Sequence, residues 1–158
     1  MAEDLHITGT TKEEKYQSLL PQIKSLVEGE QDGIANMANV CAALKFGMDF
    51  FWVGFYLVKE GQLVLGPFQG PVACTRIHKG KGVCGASWER NEVIIVEDVE
   101  KFPGHIACSS LSRSEIVLPV YNTKKEIIGV LDVDSEDLAC FEATDQLYLE
   151  KILDLLTF

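Results

Sequence analysis

The 158-residue sequence predicts an α+β fold, on three observations: two stretches of helical periodicity near the N-terminus, a long middle section of short apolar runs joined by turn residues, and one more helical stretch at the end. Hairpin-like pairs dominate the middle section, so a largely antiparallel central sheet is expected, with helices packed on one side and loops forming a pocket on the other. The length and a hydrophobic content of 47% suit a single domain over residues 1–158.

The elements follow in order. Thr11 and Glu14 match a capping box, and Tyr16, Leu19, Leu20, Ile23, Leu26 and Val27 then recur at helical spacing. Pro21 lies inside that pattern, and because proline removes a donor and crowds the preceding turn, a kink or restart is expected there. Asp32 is placed to cap a second helix in which Ile34, Met37, Ala38, Cys41 and Leu44 share one face while Asn36 and Asn39 point elsewhere, so Cys41 reads as core. The run Phe50–Val58 (FFWVGFYLV) is apolar and aromatic enough for a buried strand, and Lys59, Glu60 and Gly61 turn it into a second strand over Gln62–Phe68. Period 2 puts Trp52, Gly54 and Tyr56 on one face, as two rings flanking a gap, and Phe51, Val53, Phe55 and Leu57 on the other. The two rings are either core or one wall of a ligand pocket.

Val83–Arg90 reads as a short helix, Val93–Val96 as a buried strand, and Ile116–Tyr121 with Ile127–Val133 as a hairpin across the turn NTKKE. Ile128, Val130, Asp132 and Asp134 alternate with Ile127, Gly129, Leu131 and Val133. The two aspartates therefore share a face, roughly 6.5–7 Å apart at strand rise. They either lie at an exposed strand end or sit in a pocket that supplies a cation or donors. Thr144 opens a last helix with Leu149, Ile152, Leu153 and Leu156 inward, and Cys140 before it reads as a structural bystander.

Composition narrows the function. With 14 Lys and Arg against 24 Asp and Glu, the formal net charge is −10, which repels phosphate backbones and anionic lipid; neither nucleic acid nor membrane is expected as a partner. The acidity serves solubility or an acidic pocket for an amine-bearing ligand. The start MAEDLHITGTT lacks the basic and apolar regions of a secretory signal, and no long charge-free apolar segment follows, so a soluble, cytoplasmic protein is expected. Five cysteines in a reducing compartment argue against a structural disulfide framework.

Three of those cysteines, Cys74, Cys84 and Cys108, fall in the glycine- and proline-rich stretch from Pro67 to Val120, where they read as loop thiols within reach of water and of one another. Their separations of 10 and 24 positions, without CxxC or HxxxH, give no usual zinc pairing, and no metal site is expected. His105 stands three residues before Cys108, as a group lowering its pKa or as an exposed loop histidine. The GKG at Gly80–Gly82 is too short for a phosphate cradle. A thiol redox reaction fits better. It needs a thiolate that becomes a sulfenic acid, a second cysteine to condense with it, and an exposed route for a reductant.

The runs GPFQGPVAC, GKGVCGASWE, FPGHIACSS, SEIVLPV and IIGVLDVDS, in this order and spacing, closely resemble the free methionine-(R)-sulfoxide reductases, small GAF-domain enzymes, over almost the entire chain. The resemblance implies a GAF fold, the free amino acid as substrate, no bound cofactor, recycling by a thioredoxin-type reductant and a homodimer. It places the nucleophile at Cys108, the principal resolving cysteine at Cys74 and the third cysteine of the set at Cys84. Glu115, Asp132 and Asp134 match the pocket carboxylates, and Trp52 and Tyr56 the aromatic wall. Family members often carry an aspartate directly after the nucleophile; here Ser109 stands there. The chemistry agrees, because a sulfoxide sulfur yields to thiolate only as its oxygen gains a proton, and clustered buried acids hold a carboxyl neutral. Glu115 is the expected donor, with Asp132 or Asp134 as substitute. The competing expectation is a non-catalytic GAF module that senses a small ligand. Such a module has no need of three loop cysteines, its acidic pocket disfavours phosphate, and an output domain would be expected beside it.

Overall fold

The computed structural model describes residues 4–158; the first three residues of the N-terminal stretch discussed above lie outside them. The elements run α1 (Lys12–Val27), α2 (Gly33–Met48), β1 (Trp52–Lys59), β2 (Gln62–Gln69), β3 (Arg76–His78), α3 (Gly82–Arg90), β4 (Ile94–Val96), a 3-10 turn (Val99–Lys101), β5 (Ser114–Tyr121), β6 (Ile127–Ser135) and α4 (Ala143–Leu153). The six strands form one sheet in the order β3-β2-β1-β6-β5-β4, with every neighbouring pair antiparallel. Among the described residues no helix is long and apolar enough to cross a membrane.

One face of the sheet carries the main core. Tyr16, Leu19 and Ile23 of α1, Val40, Cys41 and Leu44 of α2, and Leu149 and Ile152 of α4 pack there on Val53, Phe55, Leu118, Leu131 and Val133 of the strands. Burying each large apolar side chain contributes about 1.5–3 kcal/mol. Side chains cap the starts of α1 and α2: Thr11 Oγ1 accepts from Glu14 N–H at 3.1 Å, and Asp32 Oδ1 accepts from Ala35 N–H at 3.0 Å. Asp145, fully buried, closes a capping box with Glu142 and accepts from Tyr16 Oη at 2.6 Å and Lys12 Nζ at 2.8 Å, tying α4 to α1.

Several expectations need correction. α1 continues through Pro21 with no restart there. The proline is exposed, and the carbonyl it leaves without a donor, that of Gln17, lies on the exposed face where water can serve it. In α2, Ile34 is 56% exposed while Asn36 is buried, its Nδ2 donating to Glu30 O at 3.0 Å. Cys41 is core as read, its thiol donating to Pro67 O at 3.3 Å and pushed by burial up to about 12.

Phe51 precedes β1 and turns to the pocket side with Trp52. A register shift between Val120 and Tyr121 leaves Ile128 out of the pairing, so Ile128 joins the main core and Ile127 the opposite face, the reverse of strict alternation. There is also no gap at Gly54. The Trp52 ring lies over it, stacked between Phe68 (5.4 Å) and Tyr56 (6.0 Å), and a Cβ on Gly54 would collide with that ring.

The second face departs most from expectation, because it carries a helix as well as loops. Val83, Cys84 and Trp88 of α3 pack on Trp52, Tyr56, Ile77, Val117 and Val130. α3 comes close to β3, and at Gly85 a Cβ would press on the His78 carbonyl.

Candidate active site

Strand register builds the floor of the site. Asp134 on β6 pairs with Trp52 on β1 and Glu115 on β5, while Asp132 pairs with Gly54 and Val117. The alternating side chains of three adjacent strands thereby bring Glu115, Asp132 and Asp134 to one face beneath α3. Glu115 and Asp132 are each 6% exposed. The Cys84 thiol lies 3.9 Å from Glu115 Oε1, and one ligand atom each of Cys84, Glu115 and Asp132 falls within 4.8 Å of the others. Asp134 Oδ1 accepts from Ser112 Oγ at 2.8 Å, whereas Asp132 Oδ1 is buried without a hydrogen-bond partner.

Burial dominates the electrostatics here. It holds Glu115 well above the carboxylate range, with the charges of Asp132 and Asp134 adding to the effect. Asp134 is raised by burial and then by Asp132, against the opposing Ser112 hydrogen bond. Asp132 is raised by burial to about 6, and donation from Glu115 and Cys84 works against a larger rise. Near neutral pH this arrangement keeps the proton on Glu115, as a donor, and the charge on Asp132. Burial and the neighbouring acids likewise push the Cys84 thiol up.

Cys74 and Cys108 form a disulfide, with Cα atoms 5.4 Å apart across 34 positions of sequence. Cys74 follows β2 and is half-buried; Cys108 is exposed in the loop between the 3-10 turn and β5. The polar tips of the aromatic wall hold the Cys74 segment, Trp52 Nε1 donating to Pro71 O and Tyr56 Oη to Cys74 O, both at 2.9 Å. Cys84 is no loop thiol; it sits in the first turn of α3, 4% exposed.

A cavity of about 50 Å³ is lined by all eight residues singled out in the sequence except Cys74, which flanks it through Val72 and Ala73. Ser109, in the position of the family's aspartate, lines it too, and its hydroxyl accepts from Leu111 N–H at 3.2 Å. Burial holds His105 below its usual range, with Glu100 opposing, so the neutral imidazole offers Cys108 little positive charge. Sequence reasoning missed Phe51, Ile106 and Ser112 on the wall. Ser112 lies in an aperiodic loop, and only its three-residue distance from Glu115 marked it.

The sequence pattern of the GAF domain matches residues 37–158. A curated relative, GAF domain-containing protein A of Dictyostelium discoideum, is 64% identical over 157 residues, 99% of either chain. The free methionine-R-sulfoxide reductase of Escherichia coli is 46% identical over 143 residues, covering 90% of this chain and 86% of that one. Among solved structures, free methionine-R-sulfoxide reductase from Neisseria meningitidis in complex with its substrate superposes with a TM-score of 0.94 at 51% identity, covering 98% of this chain and 93% of that one. The fold and site thus define a GAF-domain protein whose pocket joins thiols to buried acids. Within that class the chain belongs to the free methionine-R-sulfoxide reductases.

Proposed function

We propose that the protein reduces free L-methionine (R)-S-oxide to L-methionine, using Cys108 as the nucleophile. The observation that carries this reading is the pairing of Cys74 with Cys108 at the edge of a cavity floored by Glu115, Asp132 and Asp134. With the disulfide reduced, the Cys108 thiolate attacks the sulfoxide sulfur while Glu115 delivers its proton to the oxygen. Methionine leaves and the oxygen remains on Cys108 as a sulfenic acid. The Cys74 thiol then condenses with it, releasing water and forming the disulfide. A thioredoxin-type dithiol returns both cysteines to thiols, with no bound cofactor.

Asp132 and Asp134 receive the substrate ammonium. This accounts for a buried, unpartnered Asp132 Oδ1, since the ligand supplies the missing donor. Trp52 and Tyr56 serve as the aromatic wall and also hold the resolving segment. Cys84, buried beside Glu115, is a reserve thiol of the set. Assembly as a homodimer belongs to the same reading through the family resemblance.

The test is consumption of racemic free methionine sulfoxide with an excess of dithiol. Turnover should stop once half is converted, leaving the S epimer. Conversion of both epimers, or of neither, overturns the assignment.

A further inference from the structure

We propose that the floor of the cavity is also a binding site for a thiophilic divalent cation, zinc above all, held by Cys84, Glu115 and Asp132 in competition with the amino-acid ligand. The three ligand atoms lie within 4.8 Å of one another, and Cys84 Sγ is 3.9 Å from Glu115 Oε1. Tetrahedral zinc, with Zn–S near 2.3 Å and Zn–O near 2.0–2.2 Å, brings its ligand atoms to roughly 3.3–3.7 Å apart, a side-chain adjustment of about an ångström. A thiolate among carboxylates favours zinc over magnesium or calcium, which take oxygen ligands alone. The linear positions 84, 115 and 132 hid this set from any local ligand pattern.

A second observation points to a ligand. Asp132 Oδ1 is buried without a partner, and among the described residues no lysine or arginine lines the cavity to neutralise it. The substrate ammonium is one remedy and a cation the other, so the two exclude each other. Binding exchanges protons for metal: the Cys84 S–H and the Glu115 carboxyl proton pass to solvent as the ion enters, with no change of oxidation state. Three protein ligands leave the fourth position of a tetrahedral ion to water.

The experiment uses oxidised protein, in which the Cys74–Cys108 disulfide removes both of those thiols and leaves only Cys41, Cys84 and Cys140 free. Zinc is titrated against a chromophoric chelator, and cobalt(II) is added as a spectroscopic substitute. One equivalent of zinc and a near-ultraviolet thiolate-to-cobalt band are expected, and free methionine should displace the ion. Losing an outer-shell partner already costs a metal site 10–100-fold, so Cys84→Ser and Asp132→Asn, each losing a ligand, should weaken zinc by at least about tenfold. Cys140→Ser should leave binding unchanged. Zinc affinity that survives both ligand variants, disappears with Cys140→Ser, or ignores methionine overturns the proposal. Should Cys84→Ser fail to fold, Asp132→Asn and the cobalt band decide alone.

Discussion

Replacing Asp132 by asparagine should make the protein more stable and a worse enzyme. Asp132 is 6% exposed, one of its oxygens has no partner, and burial lifts its carboxyl from an ordinary 3.8 to about 6. The folded state therefore holds the proton more tightly than the unfolded chain. The resulting penalty on folding is absent below about pH 3.8, grows as pH rises toward 6, and is constant above, at a size on the order of 3 kcal/mol. Asparagine has no charge to desolvate and relieves Glu115 and Asp134 of a repelling neighbour. At roughly 2–4 °C per kcal/mol for a chain of this size, the melting temperature at pH 7.5 should rise by several degrees. The advantage should shrink as the buffer is taken from pH 7 to 4.5, because wild-type Asp132 then becomes neutral as well. Affinity moves the other way: a charge-assisted hydrogen bond is worth about 1.5–3 kcal/mol, so KM for the free amino acid should rise about 10- to 150-fold. Thermal melts of the reduced proteins across that pH range, with KM measured at pH 7.5, provide the assay. An Asp132→Asn protein less stable than wild type at every pH, with unchanged KM, refutes the reasoning.

Other perturbations separate the cysteines and the substrate's amine. Cys108→Ser should abolish turnover while leaving the melting temperature within a few degrees, since a hydroxyl is close in size and a poor nucleophile toward sulfur; activity in the folded variant would remove Cys108 from the chemistry. Cys74→Ser should still release one methionine per protein in a single-turnover assay but recycle poorly, and loss of that first release would give Cys74 a role beyond resolution. N-acetyl-methionine sulfoxide, which lacks the ammonium, should be reduced at least about tenfold less efficiently than the free compound; equal kcat/KM for the two would end the carboxylates' part in recognition.

Much of this site is written in short-range patterns. Period 2 along β6 put Asp132 and Asp134 on one face, and the apolar run of β1 did the same for Trp52 and Tyr56, because side-chain alternation needs no knowledge of partners. What pairs with them does not follow from alternation. Glu115 meets Asp134 only through the β5–β6 register, and the shift at Tyr121 that helps set it also moved Ile128 to the other side of the sheet. Gly82 and Gly85 made Cys84 read as a loop thiol, whereas they let a helix start and pack against β3; Gly82 has φ +62° and Gly85 abuts the His78 carbonyl. β3 and the 3-10 turn, three residues each, are too short to show a period. The rings of Trp52 and Tyr56 were legible as a pocket wall, but their hydrogen bonds to the Cys74 segment depend on a loop that returns across the sheet.

The central claim is that the substrate's oxygen passes to Cys108 and leaves as water, with its two oxidising equivalents kept as a Cys74–Cys108 bond. Fully reduced protein mixed with one equivalent of free L-methionine (R)-S-oxide, with no reductant, should yield close to one methionine and lose two thiols, and peptide mapping should find Cys74 joined to Cys108. Methionine formed without loss of thiols, or a disulfide mapped mainly between Cys84 and Cys108, would contradict it.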